Sequence, residues 1–213
     1  MLKKIICVLL SALMLTSALA SCSGDGSSTS ADTNADTASA SDAATSADTD
    51  AVEQIANVKA IQVLDAVIAS LTDMPSGKKY DSETSKLDAL TFHSLFMEDK
   101  DITFSEDGSE IIFPPVMDKI ADYAMFIANG KNPITIDVFV VKNASDVDEV
   151  KLMCQDHINQ IKGLMEGYDY DGILAAITAN NGQIVYTKGN YVIMLSVLEP
   201  AKATAAVDSI LVK

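Results

Sequence analysis

Ala121-Asp122-Tyr123-Ala124-Met125-Phe126-Ile127-Ala128, then Asn129-Gly130-Lys131-Asn132-Pro133, then Ile134-Thr135-Ile136-Asp137-Val138-Phe139-Val140-Val141-Lys142, is the stretch on which the fold turns. Two apolar runs of strand length flank five residues rich in Asn, Gly and Pro, which is the pattern of a β-hairpin. In the second run Ile134, Ile136, Val138 and Val140 fall on one side of the strand, and Thr135, Asp137 and Phe139 on the other.

Downstream, residues 145–165 carry Val147, Val150, Met153 or Cys154, His157 or Ile158, Ile161 and Leu164 or Met165 at helical spacing. Ser145 is placed to cap this helix, with Asp146, Asp148 and Glu149 in its electropositive first turn. A short helix over 171–179 ends at Asn180-Asn181-Gly182, and the runs 183–188 and 191–198 form a second hairpin closed by Gly189-Asn190. Pro200 opens a final helix to residue 213, at a position where proline is well tolerated. Upstream, Val52, Ile55, Val58, Ile61, Leu64, Val67, Ile68 and Leu71 mark an amphipathic helix stopped at Met74-Pro75-Ser76-Gly77, and 87–96 reads as a short second helix. The acidic stretch 98–113 contains the turn Asp107-Gly108 and is punctuated by Pro114-Pro115. The order helix, hairpin, helix, hairpin, helix predicts an α+β domain. It would be a two-layer sandwich, a four-stranded antiparallel sheet of two hairpins with helices packed on one face.

The segment ahead of this domain is of a different kind. Met1-Leu2-Lys3-Lys4 is a short basic start, and the apolar run 5–20 that follows has the layout of a secretory signal rather than a membrane span. It ends Leu19-Ala20-Ser21-Cys22, which resembles the lipobox of bacterial lipoproteins. There the thiol is alkylated with diacylglycerol and the chain is cut just before the cysteine. Residues 1–21 are therefore expected to be a lipoprotein signal peptide, with Cys22 the lipidated residue. An anchor of two or three acyl chains makes the attachment durable. Residues 23–50 contain only Ser, Thr, Ala, Asp, Gly and one Asn. Such a stretch buries too little apolar surface to offset chain entropy, so 22–50 is expected to be a disordered tether. As a flexible coil it would span about 30 Å.

The remaining residues, 51–213, suffice for one domain with its own core. The chain has 15 Lys, no Arg, no Trp and 30 Asp plus Glu. With Lys3 and Lys4 removed and the six tether aspartates set aside, 13 Lys face 24 acids in the domain. A domain so acidic and without Arg is unsuited to phosphate backbones, which argues against nucleic acid, and anionic lipid would repel it. Cys154 is its single cysteine, so no disulfide can form within it.

The run Lys188-Gly189-Asn190-Tyr191-Val192 at the second hairpin, with Val147-Asp148-Glu149-Val150-Lys151 at a helix start, resembles a family of lipoproteins from Gram-positive anaerobes that is a domain of unknown function. The likeness runs from about residue 121 to the C-terminus. It implies an exported lipoprotein with an α+β fold and carries no activity.

No residue set amounts to an identifiable active site. Cys154 and His157 share a helix face, but neither Cys-x-x-Cys nor His-Glu-x-x-His accompanies them, and a buried cysteine beside a half-buried histidine is the expected state. A calcium loop counted from Asp99 would need Gly at its sixth position and meets Phe104, and Asp169-Tyr170-Asp171-Gly172 holds only a fragment of that spacing. No metal or cofactor is expected. Tyr168, Tyr170 and Tyr191 are the candidate contact residues for a ligand or partner, the plainer expectation being tyrosine at the core edge. The leading expectation is a non-catalytic binding or accessory module on the extracytoplasmic face of the cell membrane. It would contact an envelope protein or small ligand through an exposed sheet face or edge or the loops near Tyr168. The alternatives are a small envelope hydrolase using Asp169, Asp171 and His157, and a structural surface protein.

Overall fold

The structure is a computed structural model and describes residues 58–96, 102–165, 167–169 and 171–212. In chain order the elements are α1 (Ala60–Ser70), β1 (Gly77–Asp81), α2 (Ala89–Phe96), β2 (Ile120–Ala128), β3 (Thr135–Val141), α3 (Val147–Met165), α4 (Ile173–Ala179), β4 (Gln183–Lys188), β5 (Tyr191–Ser196) and α5 (Pro200–Ile210). Both expected hairpins form, β2–β3 and β4–β5, and β3 and β5 lie side by side to join them. The turn of the second has Gly189 at φ +57°, the glycine-first pattern of a two-residue hairpin.

The sheet differs from the expectation in two ways. It has five strands, all antiparallel, in the order β1-β2-β3-β5-β4. The added strand is Gly77-Lys78-Lys79-Tyr80-Asp81, which pairs with β2 from Gly77 opposite Ala128 to Asp81 opposite Ala124. It has no apolar alternation to betray it, because only one of its edges is paired and its two lysines stay exposed, a common protection for an edge strand. The sheet is also covered on both faces. Ala124, Phe126, Ile136, Val138, Ile193 and Leu195 join Val63, Leu64 and Val67 of α1 and Ala203 and Val207 of α5 in one buried cluster. The alternate residues Met125, Phe139, Val141, Val192 and Met194 join Phe92 and Phe96 of α2 and Val150, Cys154, Ile158 and Ile161 of α3 in another. The helices therefore do not share a single face.

Local chemistry sets the helix ends. The α1 N-terminus receives a distant carboxylate, since the Ala60 amide donates to Asp122 Oδ2 at 2.8 Å, across the sheet irregularity between Ile120 and Asp122. Pro200 stands at the first turn of α5 as expected. Ser145 lies inside a 3-10 turn, Ala144–Asp146, that leads into α3. The acidic stretch keeps its turn at Gly108, φ +71°, beneath a single bridge between Phe104 and Ile111. Among the described residues no helix is long and apolar enough to cross a membrane. The expected signal, Cys22, the tether and the start of the first helix at Val52 lie outside them.

Candidate functional site

Asp137 occupies the middle of β3, between Ile136 and Val138, and is 0% exposed. Strand alternation turns it toward α3, where His157, 4% exposed, sits on the helix face that also carries Cys154, Ile158 and Ile161. His157 Nδ1 and Asp137 Oδ2 are 2.8 Å apart. The imidazole is held edge-on against Phe96 of α2, with ring centroids 4.5 Å apart. Burial holds the Asp137 carboxyl above its usual range, against the opposing pull of the hydrogen-bonded His157. Its second oxygen, Oδ1, has no hydrogen-bond partner among the described residues. One turn before His157, burial first and the Asp137 charge second drive the Cys154 thiol well above its ordinary range, so it stays protonated and a poor nucleophile.

His157 also lines a cavity of about 150 Å³ beside the β2–β3 turn. α3 supplies Gln160, Ile161, Leu164 and Met165, and α2 supplies Ser94 and Leu95. The hairpin closes it with Ile127, Gly130, Pro133 and Thr135. The walls are chiefly apolar, and among the described residues no acidic side chain lines them although the domain is strongly acidic. The hydroxyls at the cavity are engaged: Ser94 donates to the Thr91 carbonyl at 2.8 Å and Thr135 to the Phe126 carbonyl at 3.2 Å. Between the lining residues Gly130 and Asn132, Lys131 of the β2–β3 turn rests on the ring of Tyr168, 3.3 Å from its centroid, so the turn is tied to the loop that follows α3.

The candidate residues fare differently. Tyr168 is 46% exposed, and its ring carries Lys131 of the β2–β3 turn. Tyr191 is 1% exposed and belongs to the core, its hydroxyl donating to the Val58 carbonyl, which corrects its assignment as a contact residue. Tyr170 lies outside the described residues, as does Asp99. Asp169 accepts the Leu174 and Ala175 amides at 2.8 and 3.0 Å and so caps α4, while Asp171 is exposed. The carboxylates expected to work with His157 are thus not brought to it. Its partner is Asp137, whose signal in the sequence was a lone acid inside an unbroken run of Thr, Ile, Val and Phe. Of the sheet face or edge expected as a contact surface, the central strands are buried on both faces among the described residues, while the β1 edge keeps Gly77, Lys78 and Lys79 exposed.

Compared with protein-family models, with curated proteins and with solved structures, the chain matches none of them.

Proposed function

We propose that the chain is an extracytoplasmic lipoprotein, held to the cell membrane through lipid on Cys22, and that its domain is a non-catalytic binding module of the cell envelope. Its ligand sits in the cavity between α2, α3 and the β2–β3 turn. The observation that carries the reading is that cavity: chiefly apolar walls with a few polar groups, among them His157 of the buried His157–Asp137 pair, the usual composition of a small-molecule site. Tyr168 beside the mouth offers an aromatic surface to a ligand or to an envelope protein that delivers one. The basic start, apolar run and Leu19-Ala20-Ser21-Cys22 support the anchor, and the likeness of residues 121–213 to lipoproteins of Gram-positive anaerobes agrees with it.

The test compares small molecules that copurify with the wild-type chain and with Leu164→Trp, which would fill the mouth from a position 62% exposed and so should fold. A compound retained by the wild type and absent from the variant is expected. Equal recovery, or none from either, would remove the cavity as the working site. The buried His157–Asp137 pair favours one other reading, a small hydrolase in which His157 activates water. A covalent route is left without a ready nucleophile, since Cys154 is kept protonated and the Ser94 and Thr135 hydroxyls face backbone carbonyls. Turnover of an ester by the purified chain, lost in a variant at His157, would favour it over binding alone.

A further inference from the structure

The proton arrangement at the cavity floor limits what can bind there, an inference that rests on the cavity being the binding site proposed above. Asp137 engages Nδ1 of His157 from the sheet, and Phe96 packs edge-on against the ring. Nε2 is then the ring nitrogen left for a ligand. A lone charge this deeply enclosed is strongly unfavourable, which favours keeping the pair neutral as a whole. Neutrality allows two arrangements. Either a carboxylate faces an imidazolium, or a carboxyl O–H donates to Nδ1 of a neutral imidazole. Nε2 carries a hydrogen in both. Only the third arrangement, a carboxylate beside a neutral ring protonated at Nδ1, would leave Nε2 as an acceptor, and it strands a buried negative charge.

Four other groups of the described residues near the ring leave this unchanged. Cys154 on α3 is uncharged, and Thr135 on β3 already donates to a backbone carbonyl. His93 on α2 is directed to the Ile112 carbonyl at 2.9 Å, and Lys131 in the turn adds positive charge near the mouth. An apolar cavity of about 150 Å³ accommodates a benzene-sized body. We propose that the cavity binds a small apolar compound ending in a hydrogen-bond acceptor, a carbonyl or carboxylate oxygen. That oxygen meets His157 Nε2, and the hydrocarbon body packs against Leu95, Ile161, Leu164 and Met165.

Met165 is a built-in reporter. The full chain, labelled at its methionine methyl groups, is titrated with acetophenone, benzoate, toluene and benzylammonium while the Met165 methyl signal is followed by NMR. Acetophenone or benzoate is expected to bind at least tenfold more tightly than toluene, with benzylammonium leaving the signal unmoved. The ratio of the first two separates a carbonyl from a carboxylate. The double variant Asp137→Leu/His157→Leu replaces the buried pair with side chains of similar bulk, a change that folds tolerate better than loss of one partner. It should keep toluene binding and lose the preference for acceptors. Toluene binding as tightly as acetophenone, or a preference that survives in the double variant, would overturn the acceptor rule and leave the cavity standing. No movement of Met165 with any probe would remove the cavity and the rule together.

Discussion

At the scale of single residues, the buried pair and one surface carboxylate make separable predictions. Removing only His157, as His157→Leu, leaves the wholly enclosed Asp137 uncompensated and should destabilise the domain by about 3–5 kcal/mol. The double variant Asp137→Leu/His157→Leu should recover most of that loss. Urea unfolding of the two variants checks this, and equal losses would mean that the pair is not coupled. Glu199, just ahead of α5, accepts the Thr72 amide at 2.8 Å and the Thr72 hydroxyl at 2.7 Å, and pairs with Lys202. Lys202 first, then Thr72, lowers its pKa from 4.5 to about 2. A depressed carboxylate stabilises the fold above its unfolded pKa and loses that contribution as pH falls through the folded value. Glu199→Gln should therefore melt below the wild type at pH 6, with the difference shrinking from about pH 4.5 downward and gone near pH 2. A difference that persists at pH 2 would mean the side chain acts through packing instead.

At the scale of elements, two glycines show where the chain approaches itself too closely for any side chain. A Cβ at Gly182, between α4 and β4, would lie 1.9 Å from the Val197 carbonyl oxygen. The Gly182 amide and carbonyl are both engaged, with Ile177 and Val197, so the backbone has little room to retreat. Gly182→Ala should cost about 1–3 kcal/mol or more by overpacking. At Gly77 the same atom would meet the Phe126 ring at 2.4 Å and the Ile127 carbonyl at 2.5 Å, so Gly77→Ala should loosen β1 at its pairing with β2. Hydrogen exchange separates the two. The first variant should expose amides of β4 and β5, and the second only those of the β1 edge. These elements also show what periodicity reveals. α1 and α3 were legible from apolar spacing, α5 from Pro200, and each hairpin from its turn residues. β1 was not, because an edge strand carrying Lys78, Lys79 and Tyr80 has no repeating apolar face.

At the scale of the whole molecule, the proposed address and the proposed binding site rest on different parts of the chain. Cys22→Ser should abolish labelling by radioactive palmitate and release the chain from membranes, while the Met165 response to acetophenone stays unchanged. Labelling that survives the substitution would rule out the lipobox-like reading. The proposed address rests on short contiguous signals, Lys3-Lys4, the apolar run and Leu19-Ala20-Ser21-Cys22, which would need no folding to be read. By itself the sequence also determined the α+β class and the two hairpins, because turn residues and apolar spacing are local properties. The burial of both sheet faces was present in the unbroken runs Val138-Phe139-Val140-Val141 and Tyr191-Val192-Ile193-Met194-Leu195, yet alternation suggested one covered face. Only the tertiary structure decided that Asp137 and His157, 20 residues apart, would meet, that Tyr191 would be enclosed while Tyr168 stayed open, and that a cavity would form beside Pro133 and Met165. Pairing across 20 residues depends on the register between strand and helix, and register is a property of packed surfaces that no local pattern encodes.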